Sequence, residues 1–257
     1  MKYLFLLIIS VTLFASSVET KLYSGYVEIG KDNGHYYGAI IKNKSEDETL
    51  SFEIGMKSVQ IRDMNYSQSE TYIALEREIS YDSKIKFSYL NIDEDTYGGN
   101  LYALSFINSL ENGMELNVGG GFLNYKLDDV YQFDFSIKDF LGDSPFYYRA
   151  KYNINQIADT DKTRYYNSLD TEVGFIYAKY QGYISTFFGK KRYALQDEDC
   201  FSWNIGNLHE KGFRTSFMYQ ITINTLIKID YLHTSMLRID NIKSNLNVYN
   251  FVITHRF

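Results

Sequence analysis

The chain has 257 residues with 25 Tyr and 18 Phe, but one Trp, one Pro and one Cys, and a formal charge of −6. That acidic balance, with no basic stretch to set against it, argues against a nucleic-acid surface. Cys200 stands alone, which excludes a disulfide framework and a cysteine-rich metal site.

Met1-Lys2-Tyr3, the apolar run Leu4 to Leu13 and Phe14-Ala15-Ser16-Ser17 give the basic start, short apolar core and small-x-small site of a secretory leader, 1–17. The run is too short for a spanning helix, which needs about 20 residues. No cysteine near the cut invites lipidation. Loss of Lys2 leaves 25 basic against 32 acidic residues, a charge of −7 on residues 18–257. That remainder reads as one domain.

Short alternating segments follow. Leu22 to Gly30 and His35 to Lys44 are joined at residues 31–34. In Thr49 to Val59, Leu50, Phe52, Ile54 and Met56 share a face opposite Ser51, Glu53, Gly55 and Lys57. Glu70 to Ile79 is broken in register by Arg77. Ile85, Phe87 and Tyr89 alternate with Lys84, Lys86 and Ser88, and Tyr102, Leu104 and Phe106 repeat the pattern. Met114, Leu116, Val118 and Phe122 define a seventh strand, whose Gly119-Gly120-Gly121 run permits a bend or a close approach. An eighth follows with Tyr131, Phe133, Phe135 and Ile137, then a ninth with Phe146, Tyr148, Ala150, Tyr152 and Ile154. Leu169, Val173, Phe175 and Tyr177 mark the tenth strand, and Gly182 to Arg192 is apolar on both faces in its middle. Alternation of short turns with longer loops places Cys200 to Leu208 in a loop. Phe213 to Thr222, Leu226 to Ser235 and Leu246 to Phe257 then complete fourteen strands, with twelve as the rival count. The expectation is an all-β, closed antiparallel up-and-down transmembrane β-barrel. Its apolar residues face outward, its polar residues inward, and its aromatic residues ring both interfaces.

The end of the chain carries the address. Tyr249, Phe251, Ile253 and Phe257 alternate with more polar residues and stop on an aromatic terminus, which resembles the β-signal read by the barrel-assembly machinery. The ending Tyr249-Asn250-Phe251-Val252-Ile253-Thr254-His255-Arg256-Phe257 resembles the YaiO-type outer-membrane β-barrel family. So does Gly212-Phe213-Arg214-Thr215-Ser216 after a loop carrying Trp203. The resemblance spans residues 18–257. It implies a barrel in the outer membrane of a Gram-negative-type cell, among lipid and lipopolysaccharide, and supplies no catalytic residues.

Charges predicted to line the lumen are Glu53, Lys57, Lys84, Lys86, Glu115, Asp134, Lys138, Arg149, Lys151, Asp170, Glu172, Arg214, Lys228, Asp230 and Arg256. They either border a wet pore for small polar solutes or neutralise one another in a narrow interior. Acidic loop clusters at Asp93-Glu94-Asp95, Asp128-Asp129, Asp159 with Asp161 and Asp197-Glu198-Asp199 lack the spacing of a calcium loop and read as solvated. No metal and no cofactor is expected.

One outward constellation suits acyl transfer. His233 and Ser235 share a face, and Asn247 on the next strand has matching parity, so Asn could orient a His that deprotonates Ser. The set resembles that of outer-membrane phospholipase A, but Ser235-Met236-Leu237 replaces the Ser-Asn-Gly run, and no oxyanion donor is evident. His35, His209 and His255 have no companions in the sequence and read as loop or interface residues. The expected function is a non-enzymatic barrel, either a narrow channel or a structural surface protein, with the acyl hydrolase as the alternative.

Overall fold

A computed structural model describes residues 17–45, 50–61, 66–94, 98–111, 113–125, 129–158, 163–192, 208–238 and 242–257. Its strands are β1 Ser17–Ile29, β2 Asp32–Lys44, β3 Leu50–Ile61, β4 Tyr66–Ser80, β5 Ser83–Asp93, β6 Gly99–Ser109 and β7 Glu115–Tyr125. They continue as β8 Asp129–Phe140, β9 Phe146–Ala158, β10 Thr163–Tyr177, β11 Tyr180–Arg192, β12 Leu208–Thr222, β13 Thr225–Leu237 and β14 Lys243–Arg256. Each pairs antiparallel with its sequence neighbours, and β14 pairs with β1 to close a fourteen-stranded barrel. The twelve-strand count is thereby excluded. A strand of 13 residues at about 3.3 Å each, tilted by about 40°, spans roughly 33 Å, enough to cross a hydrocarbon layer.

The start of β1 and the end of β14 lie at one end, here the near end, with two-residue turns at Tyr81-Asp82, Ala178-Lys179 and Ile223-Asn224. The near end also carries the connections at 45–49, 110–114 and 141–145, and the far end carries the other seven. There the expected turn at 31–34 contracts to Gly30-Lys31, because Gly30 takes φ 64° and Asn33 and Gly34 pair with Glu28 and Val27. Strand β12 begins earlier than alternation suggested. A bulge between His209 and Lys211 keeps the ladder intact past a break in parity. Residues 1–16 of the expected leader and 193–207, with Cys200 and Trp203, lie outside the described residues. Ser17 opens β1 opposite Lys44.

The outer face is apolar around the whole circumference. Leu22, Met56, Phe87, Leu104, Phe133, Tyr152, Ile184, Phe217, Ile229 and Phe251 all stand exposed on it. Rings cluster at two levels. Toward the far end, Tyr26 lies 5.2 Å from His35 and 6.3 Å from Tyr249, and Tyr231 lies 5.0 Å from Tyr249 and 5.6 Å from Phe213. Toward the near end, Tyr180 stacks on Tyr219 at 5.2 Å and Phe146 meets Phe175 edge-on at 6.5 Å.

The inner face departs from the expected polarity. At its far end Leu90, Leu101, Leu123, Val130 and Ile157 stand side by side on five successive strands, each no more than 1 % exposed. Val27, Ile29, Ile61 and Leu246 extend this buried belt onto other strands, and Ile92 continues it along β5. Alternation reports which side meets lipid. It demands a polar inner side only where water stands against it, and the belt residues sit beside loops, where a single apolar residue looks like a frayed end.

The closing seam is pinned from inside. Tyr36 of β2 crosses over Gly25 of β1 and donates its phenol to the Tyr249 carbonyl of β14 at 3.3 Å. A Cβ on Gly25 would meet that phenol ring at 2.3 Å, so the glycine is needed for the crossing.

Candidate functional site

Below the apolar belt, and level with it at Lys57 and Glu70, inward side chains form three groups of ion pairs. On β2–β5, Glu53 receives Lys42 at 3.0 Å and Lys86 at 3.2 Å, and the Tyr72 hydroxyl donates to it at 3.0 Å. Lys42 also reaches Glu76 at 3.8 Å. Lys57 and Glu70 face each other at 3.4 Å with side chains 1 % and 0 % exposed, and the Gln68 amide donates to the same carboxylate.

On β8–β11, Lys151 pairs with Asp134 at 3.2 Å and Arg149 with Glu172 at 2.9 Å. The Tyr147 hydroxyl donates to Glu172 at 3.0 Å. Asp170 accepts from Asn153 at 2.5 Å and pairs with Lys191. Lys138 lies opposite Glu115 in the ladder, but its ammonium rests 4.7 Å from the centre of the Tyr147 ring. On β12–β14, Asp230 gathers Arg214 at 3.3 Å, Lys228 at 3.4 Å and the Asn250 amide at 3.2 Å. Arg256 pairs with Glu19 across the seam at 2.8 Å and stands on the near rim, 69 % exposed.

Lys84, opposite Glu78, and Glu115 face inward by register at the near end. Between β4 and β9 lies a cavity of about 230 Å³, bordered by Glu76, Lys86, Glu115, Asn117, Asp134 and Arg149. Its space comes from Ser88, Ala103, Ser105 and Gly119, the small residues on its wall. Gly119 realises the close approach foreseen for the triple glycine, since a Cβ there would sit 2.9 Å from the Asp134 carboxylate.

Sequence reasoning missed Lys42, Glu70, Glu76 and Lys191 as partners in these groups. The alternation of Glu70, Tyr72, Ala74 and Glu76 on β4 carried the signal for two of them, but Arg77 on the outer face masked it. Lys191 lies beyond a register shift in β11 that parity does not anticipate.

The outward constellation forms in part. His233 and Asn247 are ladder partners, with His233 Nδ1 2.7 Å from Asn247 Oδ1. The Tyr231 hydroxyl donates to the same oxygen at 3.1 Å, and the Asn247 amide donates to Glu28 at 3.1 Å. Ser235 is a ladder partner of Asn245 and is not hydrogen-bonded to His233. The arrangement holds an imidazole firmly and leaves the hydroxyl outside it.

The other histidines have companions the sequence did not reveal. His209 belongs to β12, not to a loop, and its Nδ1 meets Thr234 Oγ1 at 3.1 Å. His255 Nδ1 meets Thr225 Oγ1 at 2.9 Å, and His35 lies against Tyr26. Among the loop acids, Asp95, Asp128, Asp159, Asp161 and 197–199 fall outside the described residues. Asp93 closes β5, and Asp129 opens β8, where it accepts from the Asn124 amide at 2.7 Å.

No protein-family profile and no curated protein matches the chain. Solved structures do. A bacterial polysaccharide outer-membrane secretin superposes with a TM-score of 0.62 at 8% identity, over 93% of this chain and 98% of that one. A Pseudomonas aeruginosa FadL homologue gives 0.59 at 6% identity, over 93% and 90%. The Acinetobacter baumannii outer membrane protein Omp33 gives 0.54 at 12% identity, over 94% and 99%. The chain has the fold of outer-membrane β-barrels. At these identities the likeness extends to the fold alone.

Proposed function

We propose that this protein is an exported, non-enzymatic barrel of the outer membrane that passes small polar solutes through a narrow, charge-paired lumen. The observation that carries the reading is the polar lower half of the interior. Its ions are held in pairs across neighbouring strands, around a cavity of about 230 Å³. Paired charges of both signs give a solute donors and acceptors without strong preference for either ionic sign. The reading includes removal of 1–17 as a leader and lipid and lipopolysaccharide as surroundings. It also includes recognition of Tyr249, Phe251, Ile253 and Phe257 by the assembly machinery, and kinship with YaiO-type barrels on the terminal residues quoted above.

Planar-bilayer recording of the purified barrel tests it. Discrete conductance steps are expected, with ion selectivity that shifts in Arg149→Glu or Lys151→Glu. A barrel that inserts and stays silent would overturn the channel and favour a structural surface role. The acyl-hydrolase alternative draws on the His233–Asn247 contact. It requires ester hydrolysis in the wild type that disappears in Ser235→Ala, and hydrolysis absent from both ends it.

A further inference from the structure

The cavity of about 230 Å³ between β4 and β9 is where the inner wall leaves polar groups unpaired. Ser88, Ser105, Asn117 and Glu115 all border it, and among the described residues their side chains make no hydrogen bond and no ion pair. Register arranges them as a stair. Ser88 of β5 stands one level below Leu90 of the belt. Ser105 of β6 lies one level lower, opposite Lys86, and Asn117 of β7 one level lower again, opposite Ile107. Glu115, the first residue of β7, ends the stair toward the near end.

The other charged residues on this wall have counter-ions within the protein. Glu76 meets Lys42, Lys86 meets Glu53, Asp134 meets Lys151 and Arg149 meets Glu172. Glu115 has none. Its ladder partner Lys138 lies instead over the Tyr147 and Phe140 rings, with its ammonium 4.7 and 5.8 Å from their centres. Lys84 stands two strands away on β5, opposite Ile107 and Glu78. A carboxylate that faces a cavity without a counter-ion suits a cation from outside. The donor set then selects among cations. Calcium takes about six to eight oxygens, and one unpaired carboxylate falls short of that. An organic ammonium asks for less, since its N–H groups can share one carboxylate. Asn117 Oδ1 is enclosed in the wall, so the cavity meets the N–H side of that amide, and the serine hydroxyls donate or accept. These groups match an oxygen elsewhere on the same ligand. The volume lies below the roughly 300–1,000 Å³ of drug-sized sites, so the ligand is small.

We infer that Glu115 and Asn117 form a subsite for a small organic cation of the amino-alcohol class, its ammonium on the Glu115 carboxylate and its hydroxyl toward Asn117 and Ser105. This rests on the lumen being accessible to solutes, and it deepens the channel reading by naming a class that the chamber retains. The paired charges set no preference of sign, and Glu115 adds one locally. Ethanolamine at neutral pH is the probe, with ethylene glycol and acetate as its neutral and anionic counterparts. Saturation-transfer NMR on the detergent-solubilised full-length barrel reads binding. The reversal potential of a planar bilayer, with potassium chloride on one side and ethanolammonium chloride on the other, reads passage. The wild type is expected to give a saturable signal with ethanolamine and none with the counterparts. Half-saturation should rise about tenfold in Glu115→Gln and about threefold in Asn117→Ala. Lys138→Met removes a competing cation from the adjacent strand and should lower it. Neither Glu115→Gln nor Asn117→Ala breaks an ion pair or a side-chain hydrogen bond, so both should keep the gel mobility of the folded barrel. Saturable binding without ionic current would support the subsite and overturn the channel. Current carried by ethanolammonium with no saturable signal would overturn the subsite and leave the channel. Binding unchanged in Glu115→Gln, or matched by ethylene glycol, would also overturn the subsite.

Discussion

Strands β5 to β9 carry two kinds of interior within a few residues of each other. At the far end their inward side chains are Leu90, Leu101, Leu123, Val130 and Ile157, buried and contiguous. Lower down, the same strands present Lys86, Ser105, Asn117, Asp134 and Arg149, polar side chains bordering a cavity. Backbone pairing continues through both levels without a break in register. The barrel wall therefore does not dictate what fills it. Side-chain polarity decides level by level, and the passage proposed here would run from a dry belt into a wet, charge-paired chamber.

The largest expected effect comes from a place where the two interiors meet. Lys57 and Glu70 lie level with Ile92 of the belt, fully enclosed at 3.4 Å. Glu70→Ala would take away a carboxylate that faces a fully buried ammonium, at a cost of about 3–5 kcal/mol. The temperature at which the barrel loses its compact mobility on a gel should fall steeply. Replacing both residues, Lys57→Met with Glu70→Leu, should restore most of the loss, since a hydrophobic pair would suit the belt. If the double variant remained as unstable as the single, the dry character of this level would be refuted.

The next effect tests the belt itself. Leu101→Ala removes a side chain 1 % exposed between Leu90 and Leu123 and should cost about 3 kcal/mol in cavity and lost contact. If the belt constricts the passage, the same substitution raises single-channel conductance, and unchanged conductance would place the constriction elsewhere.

How much of this could be read in the sequence depends on which face a residue serves. The outward set was legible because lipid requires apolar side chains at every second position, as in Phe133, Phe135 and Ile137. Strand count and closure followed from the same requirement. Inward charges were legible one at a time, but their pairings were not, because partners such as Lys42 and Glu53 depend on register between strands. The belt was hidden by position, with Leu101 and Val130 lying next to connections.

A smaller effect probes the cavity wall. Gly119→Ala places a methyl group 2.9 Å from the Asp134 carboxylate, which must turn aside and weaken its 3.2 Å pair with Lys151. A loss of about 1 kcal/mol is expected, because a flexible side chain can yield where backbone could not. Its signature is specific. The substitution should narrow the cavity and slow solute entry more than it lowers stability, and a stability loss with unchanged permeation would detach the cavity from the passage.

The smallest effect on stability is expected at the near rim, where assembly and folded-state energetics separate. Arg256 meets Glu19 at 2.8 Å but is 69 % exposed, so Arg256→Ala should cost less than about 1 kcal/mol and less still in high salt. Phe257 is 76 % exposed and touches little beyond His255, at 4.6 Å between rings, while its backbone nitrogen donates to the Val18 carbonyl at 2.8 Å. Phe257→Ala leaves that backbone bond in place, so the folded barrel should unfold at nearly the wild-type denaturant concentration. The yield of membrane-inserted protein in cells should nevertheless fall severalfold if the terminal ring is what the assembly machinery reads. A proportional loss of both quantities would instead make Phe257 a structural residue, and the aromatic terminus would lose its meaning as an address.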